Sequence, residues 1–390
     1  MRRAYLDHAA TTPMVPEAIE AMSRQLGAAG NPSSLHGSGR LARRTVEEAR
    51  ESIAERLGAL PVEVVFTSGG TEADNLALQG GWWSVSRRDP ARTGVVVSAV
   101  EHHAVLDTAI WIHDQLGAPV ELAPVDRDGI LELDRLAGLV GPSTAVVSVM
   151  WANNEVGAIQ PVAGVAELAA THGALSHSDA VQAVGHVPVD FRASGLDTLS
   201  CTAHKLGGPV GVGALVIRRG LELTPLLHGG GQERDVRSGT VDVAGVAGFA
   251  AALAVADDRR AAEDERLRGL RAEFVTGVRA VVPEVVVNTP AAPSLPGVIS
   301  LTFPGCEADA MLMLLDAAGI DCASGSACAA GLSQGSHVLL AMGRTEREAR
   351  STLRFSLGAT SDADDVVAVL RALPEVVGRA RLAGSLHGVR

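Results

Sequence analysis

Lys205 is the only lysine of this 390-residue chain; the remaining basic residues are all arginine. Arginine stays protonated in proteins and cannot act as an amine nucleophile. A desolvated lysine can lose its proton and form a Schiff base. Lys205 lies in Thr202-Ala203-His204-Lys205-Leu206-Gly207-Gly208-Pro209, a polar, glycine-rich turn between two apolar segments. There a reactive amine would have little steric cover.

Other residues offer complementary chemistry. Ser68-Gly69-Gly70-Thr71-Glu72 follows a β-rich run and opens a helical one. Backbone N–H groups at such a helix start, with glycines allowing close approach, can cradle a phosphate. A plain capping turn would use the same residues. Ser178-Asp179-Ala180-Val181-Gln182 ends an apolar run. A carboxylate there can pair with a protonated ring nitrogen and keep that ring an electron sink, or simply cap a helix. His102, in Glu101-His102-His103-Ala104, can stack on a flat cofactor or move protons. Its neighbour His103 points away from it on any regular element, which speaks against a shared metal, so no metal site is expected. Asn154, in Asn153-Asn154-Glu155, can hold a substrate carboxylate or sit in a polar turn. Arg354 alternates with Leu353 and Phe355, and its guanidinium fork suits a carboxylate, or it is a solvated surface arginine. Cys328 sits among small residues, Ser324-Gly325-Ser326-Ala327-Cys328-Ala329-Ala330-Gly331, a setting for a mobile thiol. Taken together, an amine, a phosphate cradle, a pyridinium partner, a stacking ring, a carboxylate clamp and a thiol fit pyridoxal phosphate chemistry on an amino acid.

These groups need a scaffold. Strands are expected at 62–67, 95–98, 145–150, 174–178, 198–201 and 214–217, and helices at 72–79, near 104–116 and at 162–171. Such alternation predicts an α/β fold with a mostly parallel sheet covered on both faces, and functional groups at strand carboxyl ends. The run 243–256 is apolar and reads as a buried helix. It is shorter than the roughly 18 to 20 residues that cross a bilayer. The charged stretch 257–279 reads as a helix bridging to a smaller α+β unit with strands at 298–303 and 352–357.

The net charge is −12 with no basic tract, which argues against direct nucleic-acid binding. No membrane anchor or signal peptide is visible at Met1-Arg2-Arg3-Ala4-Tyr5-Leu6-Asp7, so a cytoplasmic location is expected. The four cysteines, Cys201, Cys306, Cys322 and Cys328, form no CxxC pair and no zinc-type spacing, and free thiols are expected.

The ordered blocks Tyr5-Leu6-Asp7-His8-Ala9-Ala10-Thr11-Thr12, Gly30-Asn31-Pro32-Ser33-Ser34, Phe66-Thr67-Ser68-Gly69-Gly70-Thr71-Glu72, Asn153-Asn154-Glu155-Val156-Gly157, His204-Lys205, Gly229-Gly230-Gly231-Gln232-Glu233-Arg234, Arg237-Ser238-Gly239-Thr240, Gly325-Ser326-Ala327-Cys328 and Ser336-His337-Val338-Leu339 run over nearly the whole chain. With them the chain resembles the cysteine desulfurases of the IscS/NifS type, within the class-V aminotransferase-like group. The resemblance implies a fold-type-I homodimer. Its large domain, residues 16–257, would carry a seven-stranded, mostly parallel sheet. A small domain, residues 1–15 and 258–390, would carry the cysteine loop. Lys205 would form the Schiff base with pyridoxal 5'-phosphate, His102 would stack on its ring, and Asp179 would pair with the ring nitrogen, with Gln182 near the ring hydroxyl. Gly70, Thr71, Thr202 and His204 would hold the phosphate, joined by Thr240 from the other subunit. Asn154 and Arg354 would bind the carboxylate of L-cysteine, and Cys328 would take its sulfur as a persulfide.

The implied acceptors are iron–sulfur scaffold or apo-cluster proteins, or a tRNA-thiolation enzyme. A DNA-sulfur-modification system, a selenocysteine lyase or an aminotransferase of the same fold are the alternatives, and a non-catalytic sulfur relay is opposed by the intact Lys205, Asp179 and His102. Ser178 and Thr202 stand where many relatives have valine and serine, Val210 where lysine is common, and Val241-Asp242 where Glu-Asn is common.

Overall fold

β-Branched runs punctuated by glycine form the strands of this chain. The computed structural model describes residues 2–325 and 335–387, the side chains of 383–387 excepted; Cys328, with Ser326 and Ala327, lies outside the described residues. A short strand β1 (Ala4–Tyr5) precedes the strands of the central sheet. These are β2 (Val64–Thr67), β3 (Gly94–Ser98), β4 (Val120–Ala123), β5 (Thr144–Ser148), β6 (Leu175–Asp179), β7 (Thr198–Thr202) and β8 (Gly213–Ile217). The seven strands lie in the order β2-β8-β7-β6-β5-β3-β4. Only β8 runs antiparallel to its neighbours. The remaining pairs are parallel. β5, β6 and β7 are buried along their whole length, as a parallel sheet covered on both faces requires.

The second unit has strands β9 (Val286–Val287), β10 (Val298–Thr302), β11 (Ile320–Asp321), β12 (Ala323–Ser324) and β13 (Thr352–Ser356). The order β12-β13-β10-β9 makes an antiparallel sheet, and β1 pairs with β11 in parallel. The N-terminal residues thus belong to this sheet system, with Asp7 bridging to Ser356.

The structure departs from expectation in the long helix. The apolar run 243–256 and the charged stretch 257–279 are one continuous helix, Val243–Val281. No proline interrupts it, and arginine, glutamate and alanine all favour helix. Its first half places Val246, Phe249 and Leu253 in the core beneath the large sheet. Its second half places Leu267, Phe274 and Val278 in the core of the smaller sheet. The charged middle pairs outward: Arg56 reaches Asp257 and Asp258 at 3.2 and 2.8 Å.

The helix expected at 72–79 begins at Gly70 and continues, through a π-helical turn at Leu76–Gly80, to Arg88. No helix among the described residues is long and apolar enough to cross a membrane.

Candidate active site

The carboxyl ends of β2, β3, β5, β6 and β7 converge on one cavity of about 420 Å3. It collects Gly70, Thr71, His102, Asn154, Asp179, Gln182, Thr202, His204, Lys205 and Arg354. Most follow from where a strand of the central sheet ends, whereas Arg354 comes from the middle of β13. Asp179 is the last residue of β6 and Thr202 the last of β7. Lys205 sits on the 3-10 turn His204–Leu206, closed by Gly207 at φ 77. His102 caps the helix His103–Leu116 after β3. Thr240 is not among these residues. It is exposed and lines a separate cleft with Thr67, Ser68 and Arg237.

The cradle depends on two glycines. Gly69 adopts φ 153, a backbone conformation that side chains disfavour. A Cβ on Gly70 would come within 2.7 Å of Val181 Cγ2, in the turn that follows Asp179. Helix start and carboxylate turn are thereby held close. The N–H groups of the first helical turn, which have no partner within the helix, are suited to a phosphate.

Asp179 is almost fully buried, and the Val181 N–H donates to its Oδ1 at 2.8 Å. Burial, with the nearby Asp74 charge, pushes its carboxyl up to about 6. A cation placed beside it, such as a pyridinium, would restore the charged form. His102 accepts the Ala104 N–H at Nδ1, 3.1 Å away. In the neutral ring the proton then sits on Nε2. Burial lowers the His102 pKa, so the uncharged ring is favoured. Lys205 Nζ donates to the carbonyl oxygens of Ala9 and Ala10, and Gln182 Nε2 donates to Ala9 O at 2.8 Å. The N-terminal segment therefore forms one wall of the site.

Arg354 is buried, not the solvated surface arginine that a lone arginine in a sequence suggests. Nη2 donates to Asp7 Oδ1 at 2.8 Å and Nη1 to the Asn154 carbonyl at 3.0 Å. Its buried Nε has no hydrogen-bond partner among the described residues. A buried guanidinium donor without a partner is costly, and a ligand carboxylate would satisfy it. The donor set thus fits both a pyridoxal phosphate and an amino-acid substrate.

Some residues of the site carry weaker sequence signals. Asp74 lies one turn after Gly70 and accepts from Ser200 Oγ, and His177 Nε2 is 3.2 Å from the same oxygen. Glu101 is fully buried, with Oε1 accepting the Met150 N–H at 2.7 Å. Helical spacing from the cradle could have found Asp74; nothing in the sequence distinguishes Glu101 from an exposed turn residue. Asn153, not Asn154, holds the turn after β5. Its Oδ1 accepts the N–H groups of Glu155 and Val156 at 2.8 and 2.9 Å. The buried Ser178 Oγ lacks a partner among the described residues. Val210 is exposed.

Burial drives the Cys201 and Cys322 thiols up to about 12, so they stay protonated and unreactive. Cys306 is also buried and its pKa raised.

Residues 4–369 match the class-V aminotransferase family. The chain is 53% identical over 383 residues to an IscS-like cysteine desulfurase of Mycobacterium tuberculosis, covering 97% of this chain and 98% of that one. A solved NifS-like protein superposes with a TM-score of 0.89 at 35% identity, covering 97% of this chain and 100% of the other. A structure described as SspA in complex with cysteine superposes with a TM-score of 0.79 at 30% identity, covering 92% and 99%. A family match over nearly the whole length, on a cavity with this donor set, means that the chain belongs to the class-V aminotransferase family, among its pyridoxal phosphate-dependent cysteine desulfurases.

Proposed function

We propose that this protein converts L-cysteine to L-alanine and transfers the sulfur to Cys328, so that a thiol and cysteine become a persulfide and alanine. The observation that carries this reading is the single cavity on which Lys205, Asp179, His102, Asn154 and Arg354 converge. Gly325 and Gly335, the described residues flanking the segment that carries Cys328, line the same cavity.

Pyridoxal phosphate, when bound, supplies the electron sink that labilises bonds at the substrate's α- and β-carbons. Gly70, Thr71, Thr202 and His204 would hold its phosphate. Asp179 would keep its ring nitrogen protonated, and Gln182 would lie near its ring hydroxyl. The His102 ring, with its proton on Nε2, would cover one face and stand ready to move a proton. Lys205 would provide the amine that binds the cofactor and then serves as acid and base at the substrate. Arg354 and Asn154 would orient the substrate carboxylate. The solved cysteine complex of a relative supports the choice of substrate.

The exposed position of Thr240 suits a role in a partner's site within a homodimer. The two cores support a division into a large domain, residues 16–257, and a small domain formed by 1–15 and 258–390. The names of the relatives support release of sulfur from cysteine; iron–sulfur cluster assembly and tRNA thiolation are the outlets that the resemblance implies. Free, unpaired thiols at Cys201, Cys306 and Cys322 suit a cytoplasmic setting.

The test is alanine and sulfide production from L-cysteine, with cofactor and a thiol reductant. Wild type should yield the two products in near-equal amounts. Cys328→Ser should lose most of both. A variant as active as wild type would remove Cys328 from the reaction.

A further inference from the structure

Glu155 is a buried carboxyl that the reaction outlined above does not use. It follows Asn154, whose carbonyl accepts from Arg354, so it is fixed next to the carboxylate clamp. Its backbone N–H donates to Asn153 Oδ1 at 2.8 Å, which fixes the main chain from which the side chain extends. The carboxyl lines the same cavity as Arg354 and meets two other parts of the chain. Its Oε2 accepts the hydroxyl hydrogen of Ser336. The same oxygen lies so close to Gly325 that a Cβ there would come within 2.9 Å of it and within 3.2 Å of Ser336 Cβ.

Gly325 is where the chain leaves β12, and Ser336 caps the helix His337–Ala341, its Oγ accepting the Leu339 N–H at 3.3 Å. Both ends have further anchors. β12 pairs with β13 in register Ala323↔Arg354, beside the clamp itself. On the other side, Gly335 N–H donates to Glu346 Oε1 at 2.8 Å, and His337 Nε2 lies 2.9 Å from the Glu101 carbonyl, next to His102. The Glu155 carboxyl meets both Gly325 and Ser336. Burial pushes its carboxyl up to about 7, so near neutrality it has a substantial protonated fraction and its charge is not the main point of the contact.

We propose that Glu155 is a positioning residue for sulfur transfer: its carboxyl ties Gly325 and Ser336, described residues on either side of the segment that carries Cys328, to the Asn154–Arg354 clamp. The inference rests on the reading of Cys328 as the sulfur acceptor. It joins Gly325 and Ser336 to the residues that would hold the substrate carboxylate, so that binding the substrate and reaching its sulfur share a common frame. Positioning of this kind acts on the transfer step. A misplacement of about 1 Å costs on the order of 100-fold in rate. It does not act on the capture of substrate by the clamp.

The experiment compares wild type, Glu155→Ala, Glu155→Gln, Ser336→Ala, the Glu155→Ala and Ser336→Ala double variant, and Cys328→Ser holoenzymes in single turnovers with L-cysteine. Two readouts are followed: the change in cofactor absorbance as a function of cysteine concentration, and persulfide on the Cys328 peptide, trapped by alkylation and measured by mass spectrometry. Glu155→Ala should leave the cysteine concentration for half-maximal absorbance change within about twofold of wild type while slowing persulfide formation about 10- to 100-fold. Glu155→Gln keeps an oxygen that accepts from Ser336 and should recover most of the rate. Ser336→Ala should slow the same step and add little to Glu155→Ala. Persulfide formation at the wild-type rate in Glu155→Ala would overturn the proposal, as would an equal loss in both readouts. Undiminished alanine and sulfide from Cys328→Ser would instead overturn the role of Cys328. The two failures are therefore distinct.

Discussion

Asp179 shows how a single residue is prepared for a cofactor at a cost to the empty protein. Its carboxyl is buried at the end of β6, supported by one backbone N–H and raised by burial to about 6. A buried carboxylate without a cation is unfavourable, and a pyridinium would remove that penalty. Asp179→Asn keeps the shape and removes the charge. We expect the cofactor Kd to rise about 10- to 100-fold, the equivalent of losing a hydrogen bond to a charged group worth about 1.5–3 kcal/mol. The cofactor-free variant should be no less stable than the cofactor-free wild type. Titration with pyridoxal phosphate by absorbance, beside denaturation of both cofactor-free proteins, checks the two statements; unchanged affinity would remove Asp179 from the ring nitrogen. Residues such as Asp179 and Lys205 were legible in the sequence because their chemistry has few substitutes. Arg354 was legible only as one of two options, since burial decides whether an arginine is a clamp or a surface charge, and burial is a property of the fold.

At the scale of elements, the turn at Gln232–Asp235 shows the role of long-range pairing. Glu233, Arg234 and Asp235 take φ values of 46, 58 and 60, a left-handed run that non-glycine residues disfavour. The run is held by Glu233, whose buried carboxylate accepts from Arg50 at 2.7 and 2.8 Å and from the Phe66 N–H at 2.8 Å. Arg50 also lies 4.7 Å over the Phe66 ring. The turn leads to Arg237, whose Nε donates to Glu72 at 2.8 Å in the first turn of the cradle helix. Arg50→Ala leaves a buried carboxylate unpaired and should destabilise the protein by about 3–5 kcal/mol, whereas replacing both partners, Arg50→Met with Glu233→Leu, should recover most of the loss. Denaturation midpoints of the single and paired variants decide this; a small effect of Arg50→Ala would mean that the strained turn stands without the pair. The helix Gly37–Arg56, which carries Arg50, was not anticipated from the sequence. Nor were the helix Pro16–Leu26 and strand β4. β4 is largely exposed at the sheet edge, so its sequence, Val-Glu-Leu-Ala, lacks the continuous apolar run that marked the central strands.

The whole molecule also sets a pH response that no local segment contains. Asp74 is enclosed by the cradle helix, β6 and β7, next to Ser200 and His177, and burial raises its carboxyl from 3.8 to about 7. The folded state therefore keeps a proton that the unfolded chain releases above about 4. Stability from this group is complete below that value and is lost as pH rises toward 7. Asp74→Asn cannot ionise, so the stability of wild type relative to the variant should fall by about 1–3 kcal/mol between pH 4 and pH 8. Denaturation midpoints of both proteins across that range measure it; parallel curves would show that Asp74 is ionised throughout. Viewed over the whole chain, residue types and their order determined the alternating α/β scaffold, the lysine, carboxylate and glycine cradle of the site, and the family. These are written locally, in periodicity, in turn chemistry and in side chains that nothing else can replace. The tertiary structure alone decided that two helical stretches fuse into Val243–Val281 across two cores, that Ala9 and Ala10 carbonyls face Lys205, and that Glu155 meets both Gly325 and Ser336. Those contacts join residues far apart in the chain. They depend on burial and strand order, which emerge only when the whole sheet closes over its core.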